Sequence, residues 1–220
     1  MVKKGKSLFD SLAAEYDAWF EQEGRLIFDI EVRAFQEVLP QLPRPWLEVG
    51  VGSGRFARAL KIETGIDPSA ALLDLAKQRG ITGFLARGEE RVFDAGTFGT
   101  VFLIVTLCFV DSPLEVLREA HRILKEDGKV VLGLVLKGSP WGKFYLKKKR
   151  EGHRFYQHAT FYSYQAVSDL LKHAGFKIEK VLSTLFQKPG AVTKMESPLG
   201  KFHRDAGFTI VVARKIGPGE

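Results

Sequence analysis

The sequence Trp46-Leu47-Glu48-Val49-Gly50-Val51-Gly52-Ser53-Gly54-Arg55-Phe56 decides the fold, because an apolar strand runs into three alternating glycines and then into a helix. Glycine adopts backbone torsions that other residues avoid, and it lets a ligand approach main-chain N–H groups. Between a strand and a helix, such a turn predicts a nucleotide-like ligand. Without a surrounding βαβ unit, the same glycines indicate only a tight strand–helix connection.

Strand-like and helical segments alternate around this loop and supply that context. The predicted strands are Trp46–Gly50, Ile62–Asp67, Thr82–Ala86, Thr100–Thr106 and Lys129–Leu136, and the predicted helices are Arg55–Lys61, Ser69–Arg79 and Pro113–Leu124. This order predicts βαβ units in a parallel sheet with helices on both faces. The fourth and fifth strands are continuously apolar, which is typical of central strands.

The pattern changes after the fifth strand. A polar insertion at 137–160 precedes a predicted helix, Tyr164–His173, and two further strands, Lys177–Phe186 and Phe208–Arg214. No long helix separates these two strands, so a right-handed parallel crossover is not expected. The last two strands are therefore predicted to be antiparallel.

Two helices are predicted ahead of the first strand. One follows from apolar residues at helical spacing, namely Leu8, Leu12, Tyr16, Trp19 and Phe20, and the other covers Leu26–Val38. The 220 residues suit one cooperative domain. We expect an N-terminal helical cap at 1–45, a cofactor-binding core at 46–136, an insertion at 137–160 that acts as a lid, and a C-terminal helix and strand pair at 161–215.

Composition predicts a cytoplasmic protein. The chain has one cysteine, and no apolar segment follows its basic start, so neither disulfides nor a secretory signal is expected. Its longest apolar runs are far shorter than the ~18 residues needed to span a bilayer, and no membrane contact is predicted.

The net charge of +7 includes the basic run Lys147-Lys148-Lys149-Arg150. The simpler interpretation is a solvated basic loop, since a nucleic-acid module needs more than a charge run. Attraction of a phosphate-rich partner is the alternative.

A carboxylate follows the second predicted strand, in the segment Gly65-Ile66-Asp67-Pro68. The carboxyl ends of parallel strands share one edge of the sheet, so Asp67 is expected beside the glycine loop. There it can accept hydrogen bonds from both hydroxyls of a ribose. The alternative role is capping the next helix.

Five segments in this order resemble the class I S-adenosylmethionine-dependent methyltransferases of the small-molecule, type 11 kind. They are Glu48–Gly54, Gly65–Ser69, Arg87–Glu90, Phe98–Val101 and Leu124–Lys129. The resemblance covers roughly residues 46 to 136. It implies a Rossmann-like fold with a mostly parallel seven-stranded sheet and an antiparallel final strand, S-adenosyl-L-methionine as cofactor, and a small-molecule methyl acceptor.

The resemblance also implies a set of cofactor-binding residues. Glu48 would contact the methionine amino group, Asp67 the ribose, and Gly88 and Glu89 the adenine. The remaining positions would allow the main chain to run close to the cofactor or would face its methionine end. They are Gly50, Gly52, Ser53, Pro68, Thr106 and Leu107.

The chain departs from the family pattern at three places. Many relatives have an acid at position 87, a leucine-proline pair at 91–92 and an acid at position 99, where this chain has Arg87, Arg91-Val92 and Gly99. The first two changes affect the expected adenine pocket.

Methyl transfer depends mainly on alignment of the reacting atoms, so no dedicated catalytic residue is assigned. A base would assist a hydroxyl or carbon acceptor, and the candidates by residue type are His153, His158, Asp111 and Tyr162. For each of the two histidines, a polar loop residue is the favoured interpretation. The alternative for Asp111 is a cap of the helix near Pro113.

Cys108 lies within an apolar segment and is interpreted as a small buried hydrophobe rather than a nucleophile. No cluster of histidine, cysteine and carboxylate side chains predicts a metal site.

The acceptor pocket is expected from the N-terminal helix and the insertion. Together they contribute a set of aromatic side chains that could close over the cofactor, namely Tyr16, Trp19, Trp141, Phe144, Tyr145, Phe155 and Tyr156. For the N-terminal pair, ordinary core packing is an equal alternative.

Two other functions are kept open. A NAD(P)-dependent oxidoreductase would also use glycines followed by an acid, although the third glycine has the wrong spacing and no Tyr-x-x-x-Lys pair accompanies it. A non-catalytic S-adenosylmethionine-binding module is the other alternative.

Overall fold

The computed structural model describes residues 8–217. Seven strands form one sheet, and they are β1 (Trp46–Val49), β2 (Thr64–Asp67), β3 (Thr82–Leu85), β4 (Phe98–Ile104), β5 (Leu124–Leu134), β6 (Phe176–Thr184) and β7 (Phe208–Lys215). Their order is β3-β2-β1-β4-β5-β7-β6. Neighbours among β1 to β5 are parallel, whereas β7 is antiparallel to both β5 and β6. The predicted sheet, with its antiparallel final strand, is confirmed.

Helices cover both faces of the sheet. They are α1 (Ala13–Trp19), α2 (Arg25–Gln36), α3 (Arg55–Leu60), α4 (Ala70–Gln78), α5 (Pro113–Ile123), α6 (Pro140–Arg150) and α7 (Tyr164–His173). Side chains of β4 alternate between two apolar clusters, since Phe102 packs with α2 and α3 on one face and Leu103 with α5 and α7 on the other. This alternation follows from the two-residue repeat of a strand.

Several elements start or end a few residues from their predicted limits. The largest difference is in β5, which begins at Leu124, where the sequence predicts the end of a helix. Leu124 pairs with Phe98, and the register shifts before Thr100 pairs with Lys129. The apolar run begins only after this shift, so the exposed first part of the strand has no hydrophobic signal.

The insertion at 137–160 contains α6 and is not a polar loop as predicted. Ser139 caps this helix by accepting a hydrogen bond from the Gly142 N–H at 2.9 Å, and Pro140 occupies its first turn. Trp141 and Tyr145, one turn apart, are buried. The basic run 147–150 forms the last turn of α6, where positive side chains favourably oppose the helix dipole.

The N-terminal region also differs in detail from the prediction. A short 3-10 helix, Leu8–Ser11, precedes α1, so the predicted single helix has two parts. Within residues 8–217, no helix is long and apolar enough to cross a membrane.

Candidate active site

The glycine loop lies at the carboxyl edge of the sheet, between β1 and α3. Gly50, Gly52 and Gly54 all have left-handed backbones, with φ of 72°, 53° and 79°. A Cβ at Gly50 would lie 2.3 Å from the Thr106 Cγ2, whereas a Cβ at Gly52 would have the Tyr16 Cε1 as its nearest neighbour, at 3.7 Å. Gly50 is therefore packed into the protein, and Gly52 lies open beneath Tyr16.

Asp67 connects the glycine loop to the start of α4. Its Oδ2 accepts a hydrogen bond from the Gly52 N–H at 2.9 Å, and its Oδ1 accepts one from the Ser69 N–H at 2.8 Å. Burial raises the pKa of Asp67 to about 6, although these two N–H groups oppose the shift. Ser69 caps α4 by accepting a hydrogen bond from the Leu72 N–H, so helix capping is not the role of Asp67.

Glu48 is a buried carboxylate with an unsatisfied oxygen. Its side chain is 2% exposed, and within residues 8–217 its Oε2 has no hydrogen-bond partner. Burial, and then the charge of Asp67, raise its pKa well above the usual range, against a backbone hydrogen bond at Ala57. Glu48 therefore does not face the surface of the protein. A buried carboxylate of this kind requires a partner, and a ligand amino group would supply one.

Helix α1 covers the loop. The Tyr16 side chain is half-buried, and burial of its phenol, followed by the charges of Asp67 and Glu48, raises its pKa. Next to it, Asp17 forms ion pairs with Arg55 at 2.8 Å and Arg79 at 2.7 Å.

The Asp17 ion pairs attach α1 to α3 and to the end of α4. Burial disfavours the charge of Asp17, but hydrogen bonds from Arg55 and Arg79 lower its pKa to about 2. Sequence reasoning missed Asp17, because its partners lie 38 and 62 residues away along the chain.

The residues expected around an adenine lie at the end of β3. A Cβ at Gly88 would lie 2.9 Å from the Val49 Cγ1, so the position is tightly packed. Arg87 donates a hydrogen bond from its Nε to the Glu89 Oε1 at 2.6 Å and also pairs with Asp111. Asp111 is therefore a salt-bridge partner of Arg87 and not the cap of α5, whose N-cap is Ser112.

The other residues predicted to bind the cofactor differ from one another in their burial and hydrogen bonds. Thr106 donates hydrogen bonds from its hydroxyl to the carbonyls of Ile104 at 3.0 Å and Gly50 at 3.4 Å. Ser53 is buried, and its carbonyl accepts a hydrogen bond from Arg79. Pro68 is exposed at the end of β2. Leu107 is fully buried in the core beside α5.

A cavity of about 530 Å³ is lined by Tyr16, the residue that also lies over Gly52 of the glycine loop. Its volume suits a small organic molecule. All seven aromatic residues predicted for the acceptor pocket line it, and they are Tyr16, Trp19, Trp141, Phe144, Tyr145, Phe155 and Tyr156. Tyr16 lines this cavity and also lies over Gly52, so its side chain borders both the cavity and the glycine loop.

Of the candidate bases, His153 and Tyr162 line the cavity, whereas His158 and Asp111 do not. Burial and the neighbouring Lys148 lower the pKa of His153, which keeps its imidazole neutral. Cys108 also lines the cavity, and burial raises the pKa of its thiol to about 12. The thiolate required for nucleophilic attack is thus disfavoured.

Two cavity residues were not identified from the sequence. Val105 has a φ of 53°, which a β-branched residue rarely adopts, and its N–H donates to the Gly133 carbonyl at 2.9 Å. Glu31 on α2 is buried among the aromatic rings. Its spacing from Ile27, Ala34 and Phe35 indicates the apolar face of α2, but no sequence pattern indicates that this face borders a cavity.

Comparison with known proteins identifies the family. Residues 19–181 match the sequence model of a family described as a methyltransferase domain. The chain belongs to this methyltransferase family. A protein of Methanocaldococcus jannaschii, described as uncharacterized, is 36% identical over 210 residues, which are 96% of this chain and 100% of that protein.

Named relatives in the methyltransferase family agree with this result. The demethylmenaquinone methyltransferase of Thermotoga maritima is 30% identical over 147 residues, 59% of this chain and 61% of that enzyme. A Thermotoga maritima crystal structure, described as an S-adenosylmethionine-dependent methyltransferase and possible histamine N-methyltransferase, superimposes with a TM-score of 0.88. It is 33% identical and covers 94% of this chain and 98% of its own.

The resemblance to class I methyltransferases is thereby confirmed, and the chain is an S-adenosylmethionine-dependent methyltransferase. Family and fold imply binding of S-adenosyl-L-methionine. The unsatisfied oxygen of Glu48 and the open left-handed Gly52 fit such a cofactor, because it carries an amino group and needs a close approach to the loop.

Proposed function

We propose that the protein transfers a methyl group from S-adenosyl-L-methionine to a small-molecule acceptor held in the aromatic cavity. The observation that carries this proposal is the position of Tyr16, which borders both the glycine loop and the cavity. A donor above Gly52 and an acceptor in the cavity would meet beside this residue. We further propose that the chain works as one domain, in which 1–45 and 137–160 cover the core 46–136 and 161–215 completes the sheet.

On the donor side, Glu48 would accept hydrogen bonds from the methionine amino group and Asp67 from the ribose hydroxyls. The Asp67 oxygens each accept one N–H hydrogen bond and keep a free lone pair. Gly88 and Glu89 would border the adenine, and the loop with Thr106 and Leu107 the methionine end. Bound S-adenosyl-L-methionine supplies a methyl group that the acceptor's lone pair takes in line, as the carbon–sulfur bond breaks.

The contribution of the protein is alignment and exclusion of water. Buried aromatic residues surround the cavity, and α1 is held over the loop by the Asp17 ion pairs. Such positioning accounts for much of the rate in a displacement of this type. His153 lines the cavity, and its lowered pKa favours the neutral imidazole. It would take the proton from a methyl acceptor that has to be deprotonated.

The acceptor has to be inferred from this chain's own cavity. The two named relatives carry names that point to different acceptors, a quinone precursor in one case and histamine in the other. The insertion supplies much of the lining, and its movement as a lid stays a prediction.

A binding and turnover experiment tests the proposed function. Titration with S-adenosylhomocysteine and with NADH distinguishes a methyltransferase from a nicotinamide-dependent oxidoreductase, which would bind only NADH. Incubation with labelled S-adenosyl-L-methionine and a small-molecule extract then tests for transfer. Binding of S-adenosylhomocysteine without transfer to any acceptor would favour a non-catalytic module.

Replacement of Asp67 by alanine is expected to weaken S-adenosylhomocysteine binding by about 2 to 3 kcal/mol, because charged hydrogen bonds to the ribose are lost. The affinity of the parent should also fall as the pH drops below the Asp67 pKa of about 6, since protonation removes acceptor capacity. Isothermal calorimetry measures both effects.

Asp74→Ala is the matched control, because Asp74 is an exposed aspartate on α4. It should bind S-adenosylhomocysteine like the parent. Thermal unfolding of Asp67→Ala must be compared as well, since Asp67 also accepts two backbone hydrogen bonds. A folded Asp67→Ala variant with parental affinity would remove the ribose assignment.

A further inference from the structure

Glu31 places a carboxyl group inside the acceptor cavity without a cation beside it. The residue is 6% exposed and lines the cavity from α2. Within the described part of the chain, burial is the one resolved influence on its pKa, which rises to about 8, and neither a hydrogen bond nor a cation opposes it. An isolated buried carboxylate is costly unless a partner compensates its charge.

Aromatic rings surround this carboxyl group. Tyr145 and Tyr156 line the same cavity as Glu31. Burial chiefly raises the pKa values of both phenols, and the charge of Glu31 adds to the shift. The two tyrosine rings are 4.3 Å apart between centroids, and Trp141 lies 5.8 Å from Tyr145. The faces of such rings are electron-rich and attract cations.

The charge of the cavity lining differs in sign from that of the whole protein. The chain carries a net charge of +7, but among residues 8–217 the lining contains the carboxylates of Glu15, Glu23 and Glu31 against one lysine, Lys148. The Lys148 ammonium lies over the Phe144 ring, 5.2 Å from its centroid. Of the three carboxylates, Glu15 already pairs with Arg154 at 2.8 Å.

We propose that this cavity binds a cationic amine, whose charged nitrogen lies against the Glu31 carboxylate among the rings of Trp141, Tyr145 and Tyr156. This inference rests on the proposed function, in which the cavity is the acceptor site. A positively charged nitrogen compensates the buried carboxylate and contacts the ring faces, whereas a neutral hydroxyl or an anion does neither. The volume of about 530 Å³ accommodates an arylalkylamine.

The test compares phenethylamine with 2-phenylethanol, which has the same shape without the charge. We expect the amine to bind the parent protein roughly tenfold or more tightly than the alcohol, and we expect Glu31→Gln to remove this preference. Saturation-transfer NMR titrations at pH 7.5 provide the dissociation constants. Glu23→Gln is the matched control, because Glu23 lines the same cavity but is exposed, and it should keep the preference.

Equal binding of amine and alcohol to the parent, or an amine preference that survives in Glu31→Gln, would overturn the proposal. If Glu31→Gln does not fold, the comparison of phenethylamine with 2-phenylethanol on the parent protein still tests the proposal. Each titration is run with and without S-adenosylhomocysteine. Amine selectivity without any S-adenosylhomocysteine binding would contradict the proposed function alone, and S-adenosylhomocysteine binding without amine selectivity would contradict this inference alone.

Discussion

Replacement of Gly52 by valine is expected to weaken S-adenosylhomocysteine binding by at least about 100-fold, or roughly 2.7 kcal/mol. Gly52 has a φ of 53°, and among residues 8–217 the Tyr16 Cε1, at 3.7 Å, is the one atom within 4 Å of a Cβ placed there. A branched side chain would fill the space in which a ligand approaches the loop, and it disfavours the left-handed backbone. Isothermal calorimetry measures the affinity, and circular dichroism verifies that the variant is folded.

Gly80→Val is the matched control for backbone strain. Gly80 also has a left-handed backbone, with φ of 86°, but it follows α4 and a Cβ there would contact nothing within 4 Å. This variant should lose similar stability and keep parental affinity. Glu48→Gln, which keeps the side-chain shape but removes the charge, should lose only about tenfold. Near-parental binding by a folded Gly52→Val would show that the loop is merely a structural turn.

The donor half of the site was predictable because its signals are local. Glu48 and the glycines lie within one short segment, and Asp67 directly follows the neighbouring strand, so parallel pairing brings them together at one sheet edge. The helix Tyr164–His173 was predicted to the residue. Ser163 caps it by accepting a hydrogen bond from the Ala166 N–H, and the left-handed Gly175 follows its end.

Helix α6 was missed because composition was weighed above capping and periodicity. The segment is rich in lysine and was therefore interpreted as a loop. However, Ser139 followed by Pro140 is a helix start, and Trp141 and Tyr145 are spaced one turn apart on its buried face. Long side chains such as Lys149 can cover packed surface with their apolar stems. The Lys149 ammonium donates a hydrogen bond to the Ala159 carbonyl at 2.6 Å.

The aromatic residues that line the proposed acceptor cavity were predictable from the sequence, but the charge of the cavity was not. Large aromatic side chains in variable segments indicate a pocket wherever those segments fold over the core. A glutamate in a helix is ordinarily assigned to the solvent face, and only the final packing of α2 shows that Glu31 points into the cavity. The Asp17 ion pairs with Arg55 and Arg79 depend on packing in the same way, since no spacing rule connects α1 with α3 and α4.

Glu31→Gln is expected to stabilise the protein progressively as the pH rises, relative to the parent. Burial raises the Glu31 pKa from its ordinary 4.5 to about 8 in the folded protein. Between these values the folded state keeps a proton that the unfolded chain has released, so the stability of the parent falls with increasing pH. Glutamine does not titrate, so the unfolding free energy of the variant has no such pH dependence. Its excess over that of the parent should therefore grow by on the order of 3 to 5 kcal/mol from pH 4.5 to pH 8.

Urea unfolding of both proteins at a series of pH values from 5 to 9 measures this difference. Among residues 8–217, the other charged and titratable groups that line the cavity are Glu15, Tyr16, Glu23, Cys108, Tyr145, Lys148, His153, Tyr156 and Tyr162. They are present in both proteins, so their contributions largely cancel in the comparison. Glu23→Gln, a replacement of an exposed glutamate that lines the same cavity, is unfolded in parallel as the matched variant. A difference in unfolding free energy between Glu31→Gln and the parent that does not change with pH would show that the Glu31 carboxyl titrates as in water. A cation bound beside it would then have no buried charge to compensate.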